Sequence, residues 1–427
     1  MLKAGFAQVD ITPPPGTRKI GWLREIIGET TRDPLYARVA VLDGGDEAVA
    51  FIQLDTLSIR WTQVNDIRQR IAARCGFPGD HILVAATHTH AGPAVAHCGD
   101  VRRDEGYLEE MVARVVDAFA TALASRQAAT VGQGSTFEFG LSHNRRVVMR
   151  DGTTCTHGSF LDPNALFLEG PMDPEVAVLA VRGQQGNLLG ALVNFACHPV
   201  HLGPDPCFSA GFPGVFAAAM QTAGCPVPLF LNGAAGNLHT SDPMHGTAGQ
   251  PMEVVGETLA RAALRVIETI PFSDQVTLGA RSRTVALSYR QINEAEVTGT
   301  TRGAQRFVDP AIYERIIPGL LQRIRERGTQ PAEVQALRVG DRAFVGIPAE
   351  YFVEHGLRIK EETHPAHTLV VGWANGMVGY VPHRDAFRRG GYETTFGPVS
   401  RLAPEAGDQL ADCAISLVKE LWAADPR

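Results

Sequence analysis

The stretch His81-Ile-Leu-Val-Ala-Ala-Thr-His88-Thr-His90-Ala-Gly-Pro93 runs five apolar residues straight into two histidines spaced i, i+2. A short run of this kind reads as a buried strand, and residues two apart on a strand point to the same side, so both rings leave the strand end together. Val39–Leu42, Ala48–Leu54, Val176–Val181, Leu189–Phe195 and Val227–Leu231 are apolar in the same way. Between these runs the spacing turns helical, at Thr62–Cys75, Tyr107–Ser125 and Phe212–Thr222. In the second of these helices Leu108, Met111, Val112, Val115, Val116 and Phe119 fall on one face; the third carries Pro213 near its start. Strand and helix alternate, which predicts an α/β core.

The composition changes near Phe272. Gln275–Arg281 and Thr284–Tyr289 alternate as antiparallel strands do, and the polar segment Gln291–Gln305 suits a helical hairpin or lid. Val334–Val339 and Ala343–Ile347 flank Gly340-Asp341, a β-hairpin signal. Thr368–Trp373 reads as one more buried strand and Pro404–Trp422 as a closing helix. The expected fold is α/β: a mixed sheet core with flanking helices over residues 1–271, and an additional C-terminal α+β part over 272–427 that completes the same catalytic unit and closes its site.

With 427 residues, 44% of them hydrophobic and 20% charged, the chain has the composition of a soluble globular protein and is long enough to bury a catalytic centre. Lys plus Arg is 39 against 46 for Asp plus Glu, a net charge of -7, and no basic run exceeds two residues, which argues against nucleic acid as a partner. No stretch approaches the roughly 18 apolar residues of a membrane span and the start has no apolar signal region, so a cytoplasmic protein is expected. Seven scattered cysteines with no C-x-x-C pair exclude a disulfide framework and a thiolate zinc site, and read mostly as buried thiols. A homo-oligomer stays open.

The run Leu189–Cys197 also ends in a histidine, His198; Ala343-Phe-Val-Gly-Ile-Pro-Ala-Glu350 ends in a carboxylate, and Leu369–Asn375 leads through Gly376-Met-Val-Gly to Tyr380. Ligands of open α/β sheets bind outside the carboxyl ends of strands, so these termini can converge on one site. Two imidazoles and a carboxylate make a common catalytic zinc set, which iron(II) also accepts.

The sequence resembles the neutral/alkaline ceramidases over nearly its whole length. The matching pieces are Ala4-Gly-Phe-Ala-Gln-Val-Asp10-Ile-Thr-Pro, Thr87-His-Thr-His-Ala-Gly-Pro93, Ser142-His-Asn-Arg145, Asn194-Phe-Ala-Cys-His-Pro199, Asn232-Gly-Ala-Ala-Gly-Asn237, Ile347-Pro-Ala-Glu350 and Gly379-Tyr380-Val-Pro. The resemblance implies one zinc held by His88, His198, Glu350 and Tyr380, with His90 and Arg145 stabilising the oxygen that turns negative when a carbonyl is attacked. This chain departs from the ceramidases in the loop Gly236-Asn-Leu-His239-Thr, where His239 replaces their serine, and in Ser209-Ala-Gly-Phe-Pro-Gly214, where they carry an aspartate.

The expected function is a zinc-dependent amidohydrolase cleaving the N-acyl bond of a small polar substrate. Two rival readings stay open: an ester or lactone hydrolase or lyase with His239 as base, and a metal-binding protein without turnover. Only 7% of residues are aromatic and Thr298–Ala304 is polar, so no long apolar channel is expected. His97 and His383 are candidates for the pocket wall, His201 and Asp55 for support of the ligands. His81, His355, His364 and His367 read as surface or packing residues, and Asp10 as a turn former.

Overall fold

The computed structural model describes residues 1–246 and 248–423. A large mixed sheet holds β1 (Lys3–Asp10), β2 (Tyr36–Asp43), β3 (Ala48–Leu54), β4 (Ile82–Ala86), β5 (Gln127–Phe137), β6 (Glu175–Gly183), β7 (Leu188–Phe195) and β8 (Pro228–Asn232), in the order β8-β7-β6-β5-β1-β2-β3-β4. The pairs β3/β4 and β7/β8 are parallel and the others antiparallel. Helices α1 (Trp61–Cys75) and α2 (Glu105–Ala124) cover one half of its outer face, α3 (Phe212–Thr222) and α4 (Met252–Thr269) the other.

A second sheet, β9 (Leu278–Ser288), β10 (Thr329–Val339), β11 (Arg342–Gly346) and β12 (His367–Val371), packs on the inner face of the first. Phe344 meets Phe51 edge-on, with ring centroids 4.9 Å apart, and Leu337, Leu369 and Val371 fill out this shared core. The far face of the second sheet is covered by α6 (Val353–Glu362) and α7 (Ala406–Ala423). The whole is thus a helix–sheet–sheet–helix sandwich, an α/β fold with a mixed sheet and flanking helices. No helix among the described residues is long and apolar enough to cross a membrane.

Three expectations change. The two alternating segments lie on one strand, β9 (Leu278–Ser288), not two, because Ser282-Arg283 between them carries no Gly, Pro, Asn or Asp to break it. The polar segment after it holds only the short helix Glu294–Thr298, and the main helix there is α5 (Pro310–Arg327), started by Asp309, whose side chain accepts from Ala311 N, and by Pro310. Of the seven cysteines only Cys197, Cys225 and Cys413 are buried; the other four are half-buried, and all seven are free thiols.

Candidate metal centre

Strand β4 stops at Ala86, and two residues later His88 adopts the left-handed conformation, φ 69°, that turns its ring inward. Strand β7 stops at Phe195 and delivers His198 three residues on. The main sheet curls until its edges meet, and the fully buried Asn232 fastens them: its Nδ2 donates to Thr87 O (3.1 Å) and Cys197 O (2.9 Å), while Cys197 N donates to its Oδ1 (3.2 Å). One amide side chain thus holds the residues immediately before both histidines. The second sheet brings Glu350 and Tyr380, which follow β11 and β12 and pair with each other in parallel. Gly372 N donates to Asn232 O (2.9 Å) and lashes this sheet to the first. Gly236 must be glycine: a Cβ there would lie 2.5 Å from the Glu350 carbonyl oxygen.

The side chains converge tightly. His88 Nε2 lies 3.0 Å from His198 Nε2 and 3.3 Å from His90 Nε2, and Glu350 Oε2 lies 3.7 and 3.8 Å from the Nε2 atoms of His88 and His198. The Nδ1 atoms of His88 and His198 donate to Leu57 O (2.6 Å) and Ala235 O (3.1 Å), and the His90 ring bonds the Gly21 backbone. With Nδ1 protonated, the Nε2 atoms of His88 and His198 face each other as two lone pairs with no proton between them, an arrangement that repels unless a cation lies at their focus. Donors around a tetrahedral zinc with bonds of about 2.0–2.1 Å stand about 3.3 Å apart, which the nitrogen spacings match. The group His88, His90 and His198 can therefore hold a metal ion.

The electrostatics agree. Burial, reinforced by the neighbouring rings and Arg145, pulls His88 and His198 well below the usual histidine range and His90 down to about 3, so all three rings are neutral, the form that can ligate a metal. Burial, only partly offset by the Tyr380 hydrogen bond and the Arg145 charge, pushes the Glu350 carboxyl up to about 7, a cost that a neighbouring cation removes. Tyr380 bonds Glu350, and burial first and Glu350 second raise its phenol well above the ordinary value.

No family model matches the chain. The neutral ceramidase of Pseudomonas aeruginosa is 24% identical to it over an alignment of 457 positions, gaps included, which spans 90% of this chain and 67% of that protein. The chain is similar in sequence to a neutral ceramidase and shares the ceramidase fold. A solved ceramidase complexed with C2 covers all of this chain and 76% of its own length, with a TM-score of 0.75 at 18% identity. The crystal structure of the Pseudomonas aeruginosa neutral ceramidase gives 0.74 at 19%, over 75% of that chain.

Within this ceramidase fold, Arg145 donates from Nη2 to Tyr380 Oη (3.1 Å) and Gly236 O (2.8 Å), and its Nε bonds Glu393 Oε1 (2.8 Å). Glu393 also accepts from Arg146 Nη1 (2.5 Å) and Thr156 Oγ1 (2.7 Å). Burial works against the Glu393 carboxylate, but Arg146 and Arg145 outweigh it and hold the group down at about 2. Sequence reading missed Glu393, which sits in a Gly-Thr loop with no motif around it. It also missed Trp373, whose ring lies flat against His88, centroids 4.2 Å apart, and whose backbone is left-handed (φ 50°). A lone Trp after a buried strand gave no sign of this contact.

His239 lines the same cavity as the metal cluster, packed edge-on against His157 at 4.7 Å. Ser241 N–H donates to its Nδ1 (2.9 Å), so the ring carries its proton on Nε2, and burial keeps it neutral. This tautomer makes His239 a hydrogen-bond donor through Nε2, whereas the rival ester-hydrolase or lyase reading takes it as a base. His97 lines the cavity; His383 and His201 do not, the latter bonding Gln250 O (2.8 Å). Asp55 is buried under the strand ends, bound to Arg38 Nη1 (2.9 Å) and Tyr36 N (2.8 Å). His355 is buried in the core, stacked on Tyr351, rather than at the surface. Asp10 caps a turn through Thr12 N (2.7 Å).

The cavity measures about 1020 Å³ and runs from the histidines to helix α5. Its outer wall is apolar, with Phe307, Ile316, Leu320, Ile324, Val399 and Trp61. It is larger and greasier than composition predicted, because these few side chains are gathered on one wall from distant segments.

Proposed function

We propose that this chain is a zinc-dependent amide hydrolase acting on an N-acyl substrate. The observation that carries the reading is the convergence of three histidine Nε2 atoms and the Glu350 carboxylate at one end of a large, part-apolar cavity. His88, His198 and Glu350 would hold the metal, with His90 and Tyr380 as further donors beside them. When bound, the metal acidifies a water molecule and polarises the amide carbonyl. The protein holds Tyr380 in place through Arg145, whose guanidinium supplies positive charge beside the oxygen on which negative charge develops. His239 presents its Nε2 proton to the same cavity. The reaction consumes one water, breaks the C–N bond, and yields a carboxylic acid and an amine that takes up the proton. The identity to the Pseudomonas aeruginosa neutral ceramidase supports amide chemistry, and the apolar wall suits an acyl chain.

The test is release of acid and amine from a panel of N-acyl compounds by chelator-treated and zinc-restored protein. Turnover restored by zinc supports the reading; turnover indifferent to chelation overturns it.

A further inference from the structure

The cavity wall carries seven arginines and a single carboxylate, Glu350, although the chain as a whole has a net charge of -7. Some of these arginines are neutralised from behind: Arg145 by Glu393 and Arg315 by Asp100, the latter at 2.5 Å. Three are not. Arg60 donates only to backbone carbonyls, Nη1 to Met377 O (2.9 Å) and Nη2 to His97 O (3.4 Å). Arg401 donates from Nη1 to Pro398 O (2.7 Å). Arg323, on helix α5, makes no side-chain hydrogen bond or ion pair among the described residues.

All three line the same cavity. Burial lowers Arg401 to about 10, and Arg60 and Arg323 add to that by repulsion. Arg401 also stands beside the metal centre, since a Cβ on Gly379, the residue before Tyr380, would lie 3.4 Å from its Nη1. Arg60 feels the attraction of Glu350 while burial lowers it too. Carbonyl anchors fix the positions of Arg60 and Arg401 without cancelling their charge, and both residues line the cavity. Guanidinium groups that outnumber the carboxylates of a partly desolvated cleft repel one another, and they are the donor geometry that binds carboxylate, sulfonate or phosphate oxygens.

We infer that the substrate carries an anionic group close to its scissile amide, bound by Arg60, Arg401 and Arg323, so that the substrate class is N-acyl compounds with an acidic headgroup. This rests on the amide-hydrolase reading for its turnover, but not for its binding. Neutral N-acyl lipids would leave the three guanidinium groups facing only water.

The experiment compares N-lauroylglycine, its sulfonate counterpart N-lauroyltaurine and the uncharged N-lauroylglycinamide on zinc-loaded protein, by calorimetric binding and by release of laurate. Wild type should bind the two anionic compounds at least tenfold more tightly than the amide, and the pair distinguishes a carboxylate-specific site from a general anion site. Arg60→Gln with Arg401→Gln should erase the preference while leaving the neutral compound's binding unchanged. Arg323→Gln, at an exposed side chain with no partner to lose, should reduce it without any risk to folding. Equal binding of charged and neutral compounds, or an anion preference that survives in both variants and so belongs to the metal, overturns the inference. Preferred binding of the anions with no laurate released under any metal condition would overturn the hydrolase reading and leave the anion site standing.

Discussion

Asn232→Ala removes the side chain that holds the two histidine-bearing strand ends together. The wild-type amide makes three hydrogen bonds, all to backbone and all fully buried: to Thr87 O, to Cys197 O and from Cys197 N. At about 1 kcal/mol net for each, with no water to re-satisfy the abandoned groups, the loss is about 3 kcal/mol. An unfolding entropy of about 2.1 cal/mol/K per residue over this length gives about 0.9 kcal/mol/K, so the thermal midpoint should fall by about 3 °C. Metal affinity should fall more visibly, by about 10- to 100-fold, because the backbone just before His88 and His198 loses its brace. Asn232→Asp should do at least as much harm, since it sets a carboxylate against two carbonyl oxygens. Scanning calorimetry and competitive zinc titration measure both effects. A variant that melts within 1 °C of wild type and binds zinc within twofold would refute the claim that Asn232 positions the site.

Tyr380→Phe should keep its metal, by elemental analysis, and lose about 100-fold in kcat, the scale of one removed electrostatic donor; full activity would leave Tyr380 a wall residue. His239→Ser should cost about tenfold in turnover with an unchanged pH profile, because the ring is a neutral donor throughout the neutral range; a shifted acid limb would make it a base after all. Glu393 is held at about 2 in the fold against an ordinary value of 4.5, so it binds protons more weakly folded than unfolded. Its contribution to stability is present above pH 4.5 and lost as the pH falls toward 2. Glu393→Gln should therefore be less stable at pH 7 and show a shallower loss over that acid window in denaturant titrations.

Strands β3, β4 and β7 were legible because both their faces are covered, one by helices and the other by the second sheet, which makes them near-continuous apolar runs. Strand β5 was not, since Gly132, Gly134, Ser135 and Thr136 weaken its pattern where it meets other chain segments rather than a uniform core. Helix α5 escaped notice because it is mostly exposed and interrupted by Pro318. In the site, His88 and His90 showed themselves as a pair on one strand end, and His198 as a second strand terminus. Glu350 and Tyr380 showed themselves as further strand termini, and the family resemblance added Tyr380 to the ligand set although 150 or more residues separate both from the histidines. Asn232, Trp373 and Glu393 act through contacts across the fold, and no local pattern encodes a contact of that kind. The His239 tautomer likewise depends on a single backbone N–H two residues away.

The account turns on the metal. Protein purified without added chelator, dialysed against zinc and then against metal-free buffer, should retain one equivalent per chain by elemental analysis. The variant combining His88→Ala and His198→Ala should retain none while melting cooperatively. Wild-type protein that keeps no divalent metal, or a double variant that keeps a full equivalent, would contradict it.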